Sequence, residues 1–439
     1  MSKKVYIETY GCQMNIADTE IVISILKNNG FQSTDIMEEA DLILVNTCSV
    51  RENAEQRIRG RLQVFNTIKT NKPEILIGII GCMAERLKKQ LLEEEKMLDI
   101  IVGPDAYRSL PKLIKKAGTG QKAVNVILSN EETYADINPI RLRKNKISAF
   151  ISIMRGCENM CTYCIVPYTR GVERSRNPQT IVNEASNLFK EGYKEIILIG
   201  QNVDSYNWVD NKKLNFAKLL KLVAEISPKL RIRFSTSHPK DMTDEVLYAM
   251  AEYNNICKNI HLPVQSGSTN VLNKMNRGYT REWYLDRVSA IKKIVPECSI
   301  STDIMVGFCD ETEKDQLETL SLMKEVEYDL SFMFKYSVRP KTYAARKFED
   351  NVPEEIKAKR LSEVVLLQNK LSKESKEKDI GKTFEVLIEG ISKKSDDEFF
   401  GRNSQNKVVV FPMKNFKIGD YVNAKVEKCT SATLIGKIV

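Results

Sequence analysis

Through roughly the first 118 residues, short apolar runs alternate with stretches of helical spacing. Residues 5–10, 42–46, 75–80 and 100–102 read as strands. Residues 18–28, 52–68 and 85–92 repeat apolar positions at three- and four-residue steps and read as helices. Strands apolar on both faces that alternate with helices predict a parallel sheet covered by helices. A polar stretch from Gly118 to Lys146 then reads as a connector with one short strand at 123–128. The alternation resumes with strands at 149–154, 195–199, 232–235, 259–262, 300–306 and 330–336, and helices at 179–189, 216–226, 243–251, 281–294 and 313–325. Asn177-Pro178 and Thr243 suit helix starts, and Gly192 suits a stop. Six such units predict a partial (β/α)6 barrel, since a closed eight-unit barrel takes about 250 residues. Residues 354–378 read as a charged helical linker. After them, short strands at 384–388, 407–411, 421–427 and 434–439, separated by Gly, Asn and Asp clusters, predict a small all-β, OB-like barrel. The fold class predicted is α/β in three units: an amino-terminal open parallel-sheet domain at 3–118, the partial barrel at 143–373 and the all-β domain at 376–439.

Composition narrows the picture. At 439 residues, with 42% hydrophobic and 28% charged positions, the chain has a globular balance that excludes disorder throughout. No apolar run approaches the roughly 18 residues that cross a bilayer. The start, Met1-Ser2-Lys3-Lys4, leads into an apolar stretch that carries a charge and no small-residue cleavage site, so a cytoplasmic protein with no membrane association is expected. The net charge of +9 is modest, but its distribution is uneven. Arg141, Arg143, Lys144, Lys146, Arg155, Arg170, Arg174 and Arg176 stand against only Glu158 and Glu173. Such a run is ordinarily a solvated face, and its place around a cysteine motif raises a polyanion such as RNA as the alternative.

Ten cysteines are many for a compartment that disfavours disulfides, so a patterned set points to metal or catalysis. Cys157, Cys161 and Cys164 are spaced Cys-x3-Cys-x2-Cys in the loop after the first barrel strand. Structural zinc takes four protein ligands, and the only histidines, His238 and His261, are far along the chain. A 4Fe-4S cluster on three cysteines leaves one iron free for another ligand. The spacing favours the iron–sulfur cluster and leaves a zinc knuckle as the alternative. Cys12, Cys48 and Cys82 each follow a predicted strand of the first sheet, and parallel strands deliver such residues to one edge. Gly11 and Gly81 permit close backbone approach there. These three thiols are a second candidate cluster site or, alternatively, buried structural cysteines. Cys257, Cys298, Cys309 and Cys429 read as ordinary buried thiols.

The longer motifs resemble a known family. Met154-Arg155-Gly156-Cys157 through Cys161-Thr162-Tyr163-Cys164-Ile165-Val166-Pro167-Tyr168-Thr169-Arg170-Gly171, closing with Glu173-Arg174-Ser175-Arg176, resembles the radical S-adenosylmethionine (SAM) enzymes and, among them, the methylthiotransferases. Tyr10-Gly11-Cys12-Gln13-Met14-Asn15, Asn46-Thr47-Cys48-Ser49-Val50-Arg51-Glu52 and Gly81-Cys82-Met83-Ala84 are similar to that family's amino-terminal cysteine motifs. Gly200-Gln201-Asn202-Val203, Thr236-Ser237-His238-Pro239 and His261-Leu262-Pro263-Val264-Gln265-Ser266-Gly267-Ser268 extend the likeness, and the terminal unit resembles its TRAM RNA-binding domain. The tRNA branch fits best, through Gly11–Asn15 and Ser49-Val50-Arg51-Glu52-Asn53-Ala54-Glu55.

The resemblance implies two 4Fe-4S clusters. One, on Cys157, Cys161 and Cys164, would bind SAM and on reduction release a 5′-deoxyadenosyl radical; the other, on Cys12, Cys48 and Cys82, would carry or supply sulfur. The implied product is a methylthio group on C2 of N6-(dimethylallyl)adenosine at position 37 of tRNA, with one SAM as methyl donor and one as radical source. An aromatic C2–H has no acidic proton and no leaving group, so the cofactor must carry the hard step. No catalytic side chain beyond the cluster ligands is expected. Tyr163 resembles the aromatic whose backbone meets the SAM adenine, and Gly200, Gln201 and Asn202 match the loop that meets its amino group. Ser237 and Gln265 follow barrel strands within reach of SAM or the adenosine, while His238 and His261 read equally as structural. Arg170, Arg174 and Arg176 are expected to fork RNA phosphates. Implied partners are an anticodon loop carrying the isopentenylated adenosine and an electron donor such as flavodoxin or ferredoxin, with the chain a monomer. The same chemistry on threonylcarbamoyl-adenosine or a ribosomal-protein aspartate is the nearest alternative. More distant ones are a zinc-holding RNA-binding protein and a radical enzyme acting on a small molecule. One departure is Cys309-Asp310 where the family often has Pro-Gly. Asp tolerates turns, and Cys309 is not expected to ligate.

Overall fold

Ile, Leu and Val dominate six strands that form one parallel sheet: β1 (Lys3–Tyr10), β2 (Phe31–Ser33), β3 (Leu42–Thr47), β4 (Leu76–Gly81), β5 (Ile100–Val102) and β6 (Ala123–Asn125). Their order is β2-β1-β3-β4-β5-β6. The structure, a computed structural model, describes residues 2–49, 52–142, 145–210 and 213–439. Val50 and Arg51 of the second cysteine motif, Arg143 and Lys144 of the basic run, and the side chains of residues 52–55 and 89 lie outside the described residues. Alternate strand residues feed two cores. Leu42, Leu44 and Ile80 pack with Ile21 and Ile114 on one face, and Ile43, Val45 and Ile79 with Ile58 and Leu62 on the other. The first helix starts at Gln13, directly after Cys12, rather than at residue 18. The helix expected at 85–92 is two, Cys82–Leu87 and Lys89–Glu94, broken where Lys88 takes φ 51°. Leu110–Ala117, a helix with proline near its start, was not predicted, and neither was β2. The sheet also continues past residue 118, because β6 pairs with β5.

The central barrel follows its expected alternation. Its strands are β7 (Ser148–Ser152), β8 (Glu195–Ile199), β9 (Arg231–Ser235), β10 (Asn259–His261), β11 (Ser299–Val306) and β12 (Leu330–Lys335), all in parallel ladders. They form two halves, β7-β8-β9 and β10-β11-β12, linked by a bridge between Ile232 and Ile256. Among the described residues no ladder joins β7 to β12, so the barrel is partial. Residues 354–378 are no linker: the Glu354–Glu377 helix buries Val364 and Leu371 in the barrel core, and Gln368 donates to the Tyr328 carbonyl at 2.9 Å. The chain ends in a closed barrel of β13 (Thr383–Ile391), β14 (Glu398–Asn403), β15 (Val408–Pro412), β16 (Tyr421–Cys429) and β17 (Leu434–Ile438). Here β14 escaped prediction because its Glu, Gly and Arg resemble a turn cluster. This unit docks where the central strands begin, with Arg233 donating to the Asn403 carbonyl at 2.7 Å and Arg231 to that of Arg402 at 2.6 Å. Among the described residues no helix is long and apolar enough to cross a membrane.

The first sheet and the central barrel meet at the other end of those strands, and charge holds the seam. Met14 and Ala17 of the Gln13–Lys27 helix pack on Phe150 and Ile199. Asp18, on the same helix and fully buried, accepts from Arg155 and from Arg170, each at 2.8 Å. Asp105 accepts from both terminal nitrogens of Arg174, at 2.8 and 3.1 Å. Arg155 also lies 4.9 Å over the Tyr134 ring, and Arg141 bridges Glu20 and Glu184. Burial pushes the Asp18 carboxyl up, but Arg155 and Arg170 outweigh it and hold it below its ordinary value.

Removing one member of a buried ion cluster strands its partners, so Asp18→Ala should lose about 3–5 kcal/mol in urea denaturation at neutral pH. The contribution of Asp18 is complete above about pH 4, the unfolded aspartate value, and disappears as pH falls through the lower folded value. The gap between wild type and variant should therefore narrow on acidification.

Candidate metal-cluster and cofactor site

The first cysteine trio is assembled by sheet register. Strands β1, β3 and β4 are neighbours, aligned so that Tyr10 pairs with Thr47 and Thr47 with Gly81. Cys48 and Cys82 therefore leave adjacent strands at the same level, and Cys12 follows one residue after Gly11. Two asparagines join these loops. Asn15 Oδ1 accepts from the Cys12 amide at 3.2 Å, Asn15 Nδ2 donates to Asn46 Oδ1 at 3.0 Å, and Asn46 Nδ2 donates to the Asn15 carbonyl at 2.8 Å. A Cβ on Gly11, whose φ is +150°, would lie 2.4 Å from Asn15 Oδ1 and 2.8 Å from the Cys48 Cβ, so glycine alone fits the turn. Cys12 is exposed, Cys48 half-buried and Cys82 buried. A hydrogen bond with Cys48 and, against the effect of burial, the charge of Arg170 bring the Cys12 thiol down to about 6. Burial pushes Cys82 up despite the same arginine.

The second trio lies on one loop that closes on itself, the Cys157 amide donating to the Gly171 carbonyl at 3.1 Å. The loop tip is held from the barrel: the Thr162 amide donates to the Met275 carbonyl at 3.0 Å and Asn276 to that of Met160 at 2.9 Å. Arg277, which sequence reasoning passed over, donates to Cys161 Sγ at 3.3 Å, to the Tyr163 hydroxyl at 3.4 Å and to the Pro263 carbonyl at 2.7 Å. An arginine inside a turn carries no sequence signal for this role. Burial pushes Cys157 up to about 12, and burial together with Cys161 does the same for Cys164.

Among the described residues no three His, Cys, Asp or Glu side chains are close enough to share a single metal ion. A cubane places each thiolate on a different iron and accepts the looser gathering of either trio. Both trios suit that group, since each combines three cysteines outside any disulfide with a buried guanidinium beside them.

The residues expected against SAM divide. Asn202 is buried and keeps its side-chain oxygen without a partner; buried Ser237 lies against the Asp204 carboxylate, and His238 Nδ1 lies 3.9 Å from Asp241. Asn202, Asp204, Ser237 and His238 follow β8 and β9 at the barrel mouth and form a polar nest suited to a small polar ligand. Gln201 instead accepts the Gly156 amide at 2.6 Å and braces the cysteine loop. Gly200 abuts Met154, where a Cβ would lie 2.5 Å from its side chain. Gln265 is buried with φ 72° and ties into β11 through its backbone, and Tyr163 packs on Phe308. Burial pushes Asp204 up to about 7, whereas burial, Arg277 and Lys240 push His238 down to about 2. His261 faces Ser301 at 3.1 Å. Asp310 adopts φ 60°, so the departing loop keeps a left-handed turn that Asp tolerates, and Cys309 is buried against Tyr336.

The arginines expected to grip phosphate are elsewhere engaged. Arg170, Arg174 and Arg176 are only 3%, 5% and 7% exposed and pair with Asp18, Asp105 and Glu184. The acids that Arg170 and Arg174 meet lie 152 and 69 residues away in sequence, which is why these two looked free.

Three family descriptions match the chain: "Uncharacterized protein family UPF0004" over residues 4–103, "Radical SAM superfamily" over 151–323 and "TRAM domain" over 377–439. The tRNA-2-methylthio-N(6)-dimethylallyladenosine synthase of Amoebophilus asiaticus is 57% identical, over 100% of this chain and 93% of that protein. Those of Bacteroides fragilis and Parabacteroides distasonis are 56% and 57% identical, over 100% of this chain and 96% of each relative. Among solved structures, the radical SAM methyltransferase TsrM from Kitasatospora setae, with cobalamin and a [4Fe-4S] cluster bound, has a TM-score of 0.59 at 13% identity, covering 79% of this chain and 77% of that one. The cobalamin-dependent SAM radical enzyme OxsB has a TM-score of 0.54 at 14% identity, covering 84% and 56%. At such identity the likeness is one of fold.

In iron-free protein, iodoacetamide labelling read by peptide mass mapping should reach Cys12 first, with a rate that rises through about pH 6. Cys157 and Cys164 should lag by roughly tenfold or more at neutral pH, since their thiolate fractions are far smaller.

Proposed function

The chain belongs to the family of tRNA-2-methylthio-N(6)-dimethylallyladenosine synthases, built on a radical SAM core, and from that premise we propose how its residues divide the work. The enzyme is a radical SAM tRNA methylthiotransferase that places a methylthio group on C2 of N6-(dimethylallyl)adenosine at position 37, with one SAM as methyl donor and one as radical source. Full-length identity to relatives of that name supports the dimethylallyl substrate over threonylcarbamoyl-adenosine or a ribosomal-protein aspartate. Radical SAM membership brings a 4Fe-4S cluster and SAM. When bound, they supply a carbon radical able to take hydrogen from an unactivated aromatic C–H.

Cys157, Cys161 and Cys164 would hold that cluster, and Cys12, Cys48 and Cys82 a second one. The observation that carries this division is the gathering of Cys12, Cys48 and Cys82 beside Arg170, a residue of the loop that holds the other trio. Asn202, through its unpartnered oxygen, and Ser237 would meet SAM, while Tyr163, Gly200, Gln201 and Gln265 shape the loops around it. Asp18, Arg155 and Arg170 hold the two trios in fixed relation, and the Met14–Phe150 packing excludes water from the seam. Burial, Arg277 and Lys240 disfavour a protonated His238, so it would not serve as an imidazolium acid. With the arginine run internal, the anticodon loop would be gripped largely by the terminal barrel, whose Lys393, Lys394, Lys414 and Lys417 are exposed beside a 40%-exposed Phe416. The reading extends to a cytoplasmic monomer fed by a flavodoxin- or ferredoxin-type donor, and to units bounded near 3–118, 143–373 and 376–439.

Anaerobically reconstituted protein should hold about eight irons, and a Cys12/Cys48/Cys82 triple alanine variant about four. That variant should still cleave SAM and form no methylthio product, as judged by nucleoside mass spectrometry of tRNA. Normal product from it would remove the second cluster from the proposal.

A further inference from the structure

Arg170 carries more hydrogen-bonding capacity than its protein partners use. One terminal nitrogen donates to Asp18 at 2.8 Å; the other, Nη1, is buried with no oxygen or nitrogen partner, and the guanidinium also interacts with the Cys82 thiol. Besides Asp18, the groups that face this guanidinium are Cys82, Tyr107 and Cys12. Its helix, Val166–Arg170, packs on the Cys82–Leu87 helix, so the side chain enters the first trio from the barrel side. Arg277 at the other trio differs, because protein groups occupy its guanidinium throughout.

Charge points the same way. Among the described residues, the fully buried group at the seam pairs three arginines, Arg155, Arg170 and Arg174, with two carboxylates, Asp18 and Asp105. The adjoining Arg141 and Arg176 pair with Glu20 and Glu184, Lys88 with Glu85, and the exposed Arg108 with Glu132 and Asp136. An uncompensated buried cation is costly, so this arrangement suits a chain that acquires an anion close to Arg170.

We infer that Arg170 is the charge-compensating residue of the Cys12/Cys48/Cys82 site, its guanidinium directed at the anionic iron–sulfur core those thiolates would hold. The inference rests on the second cluster proposed above. Cluster potentials respond to nearby charge and to hydrogen bonds on sulfur, so a buried guanidinium there favours the reduced, more negative core. Asp18 then acts as a positioning residue that aims Arg170.

The test uses the full chain with Cys157, Cys161 and Cys164 replaced by Ala, so that any cluster retained belongs to the other trio. After anaerobic reconstitution, iron per chain and midpoint potential are measured by EPR-monitored redox titration for this parent and for Arg170→Lys, Arg170→Met and Asp18→Asn in its background. Arg170→Met leaves Asp18 paired with Arg155 and so avoids a stranded carboxylate. The expected result is a midpoint shifted to lower potential in Arg170→Met, a smaller shift in Arg170→Lys, and a shift to higher potential in Asp18→Asn. A merely structural role predicts that Arg170→Met and Asp18→Asn change together in iron content and not in opposite directions in potential. Equal midpoints in parent and Arg170→Met at equal iron load would overturn the assignment. A parent that takes up no iron would overturn the second cluster and this inference with it, whereas normal uptake with an unmoved potential sinks the inference alone.

Discussion

A carboxylate shut away from water ties the two halves of the site together. Asp18 lies six residues after Cys12 on one helix and bonds Arg155, two residues before Cys157, and Arg170, six after Cys164. A single ion cluster thus references both cysteine trios. Buried ion clusters add little net stability over apolar packing, yet breaking one strands a charge, so they strongly penalise any other register of the seam. Apolar contact between Met14 and Phe150 alone would allow sliding, which the buried ion cluster opposes.

Within each half a different device places the thiols. The first trio depends on parallel register, with three neighbouring strands ending level and Asn15 and Asn46 bonding the loops that follow. The second depends on one short loop closed by its own backbone and braced by Gln201 and Asn276. Around both, buried polar atoms on Asn202 and Arg170 lack an oxygen or nitrogen partner in the protein. Orphans of this kind are rare in folded chains; besides these, others lie away from the trios, on Gln316, Ser331 and Gln368.

Much of the fold was readable in advance. Strands such as Glu195–Ile199 and helices such as Arg281–Ile294 have strong periodicity bounded by clear stop signals, and the observed elements coincide with the expected ones. Weak elements were lost for physical reasons. Phe31–Ser33 is too short to show a period, Leu110–Ala117 has a proline in its first turn, and Glu398–Asn403 is a strand whose polar composition is tolerated by pairing on both sides. The Glu354–Glu377 helix looked like a linker because its buried stripe, including Arg360 and Gln368, is partly polar and satisfied only by distant partners.

The chain by itself determined which residue types could do chemistry and how they were spaced along it. Cys-x3-Cys-x2-Cys, the cysteines after apolar strands and the glycines before two of them are local facts, because ligand type and backbone freedom belong to single residues and their neighbours. What only the tertiary structure decided was which charges meet. Arg170 and Arg174 look alike in sequence, and nothing near them announces that Asp18 and Asp105 lie opposite. An ion pair depends on distance in space and on the exclusion of water, and neither is a property of a short stretch of chain.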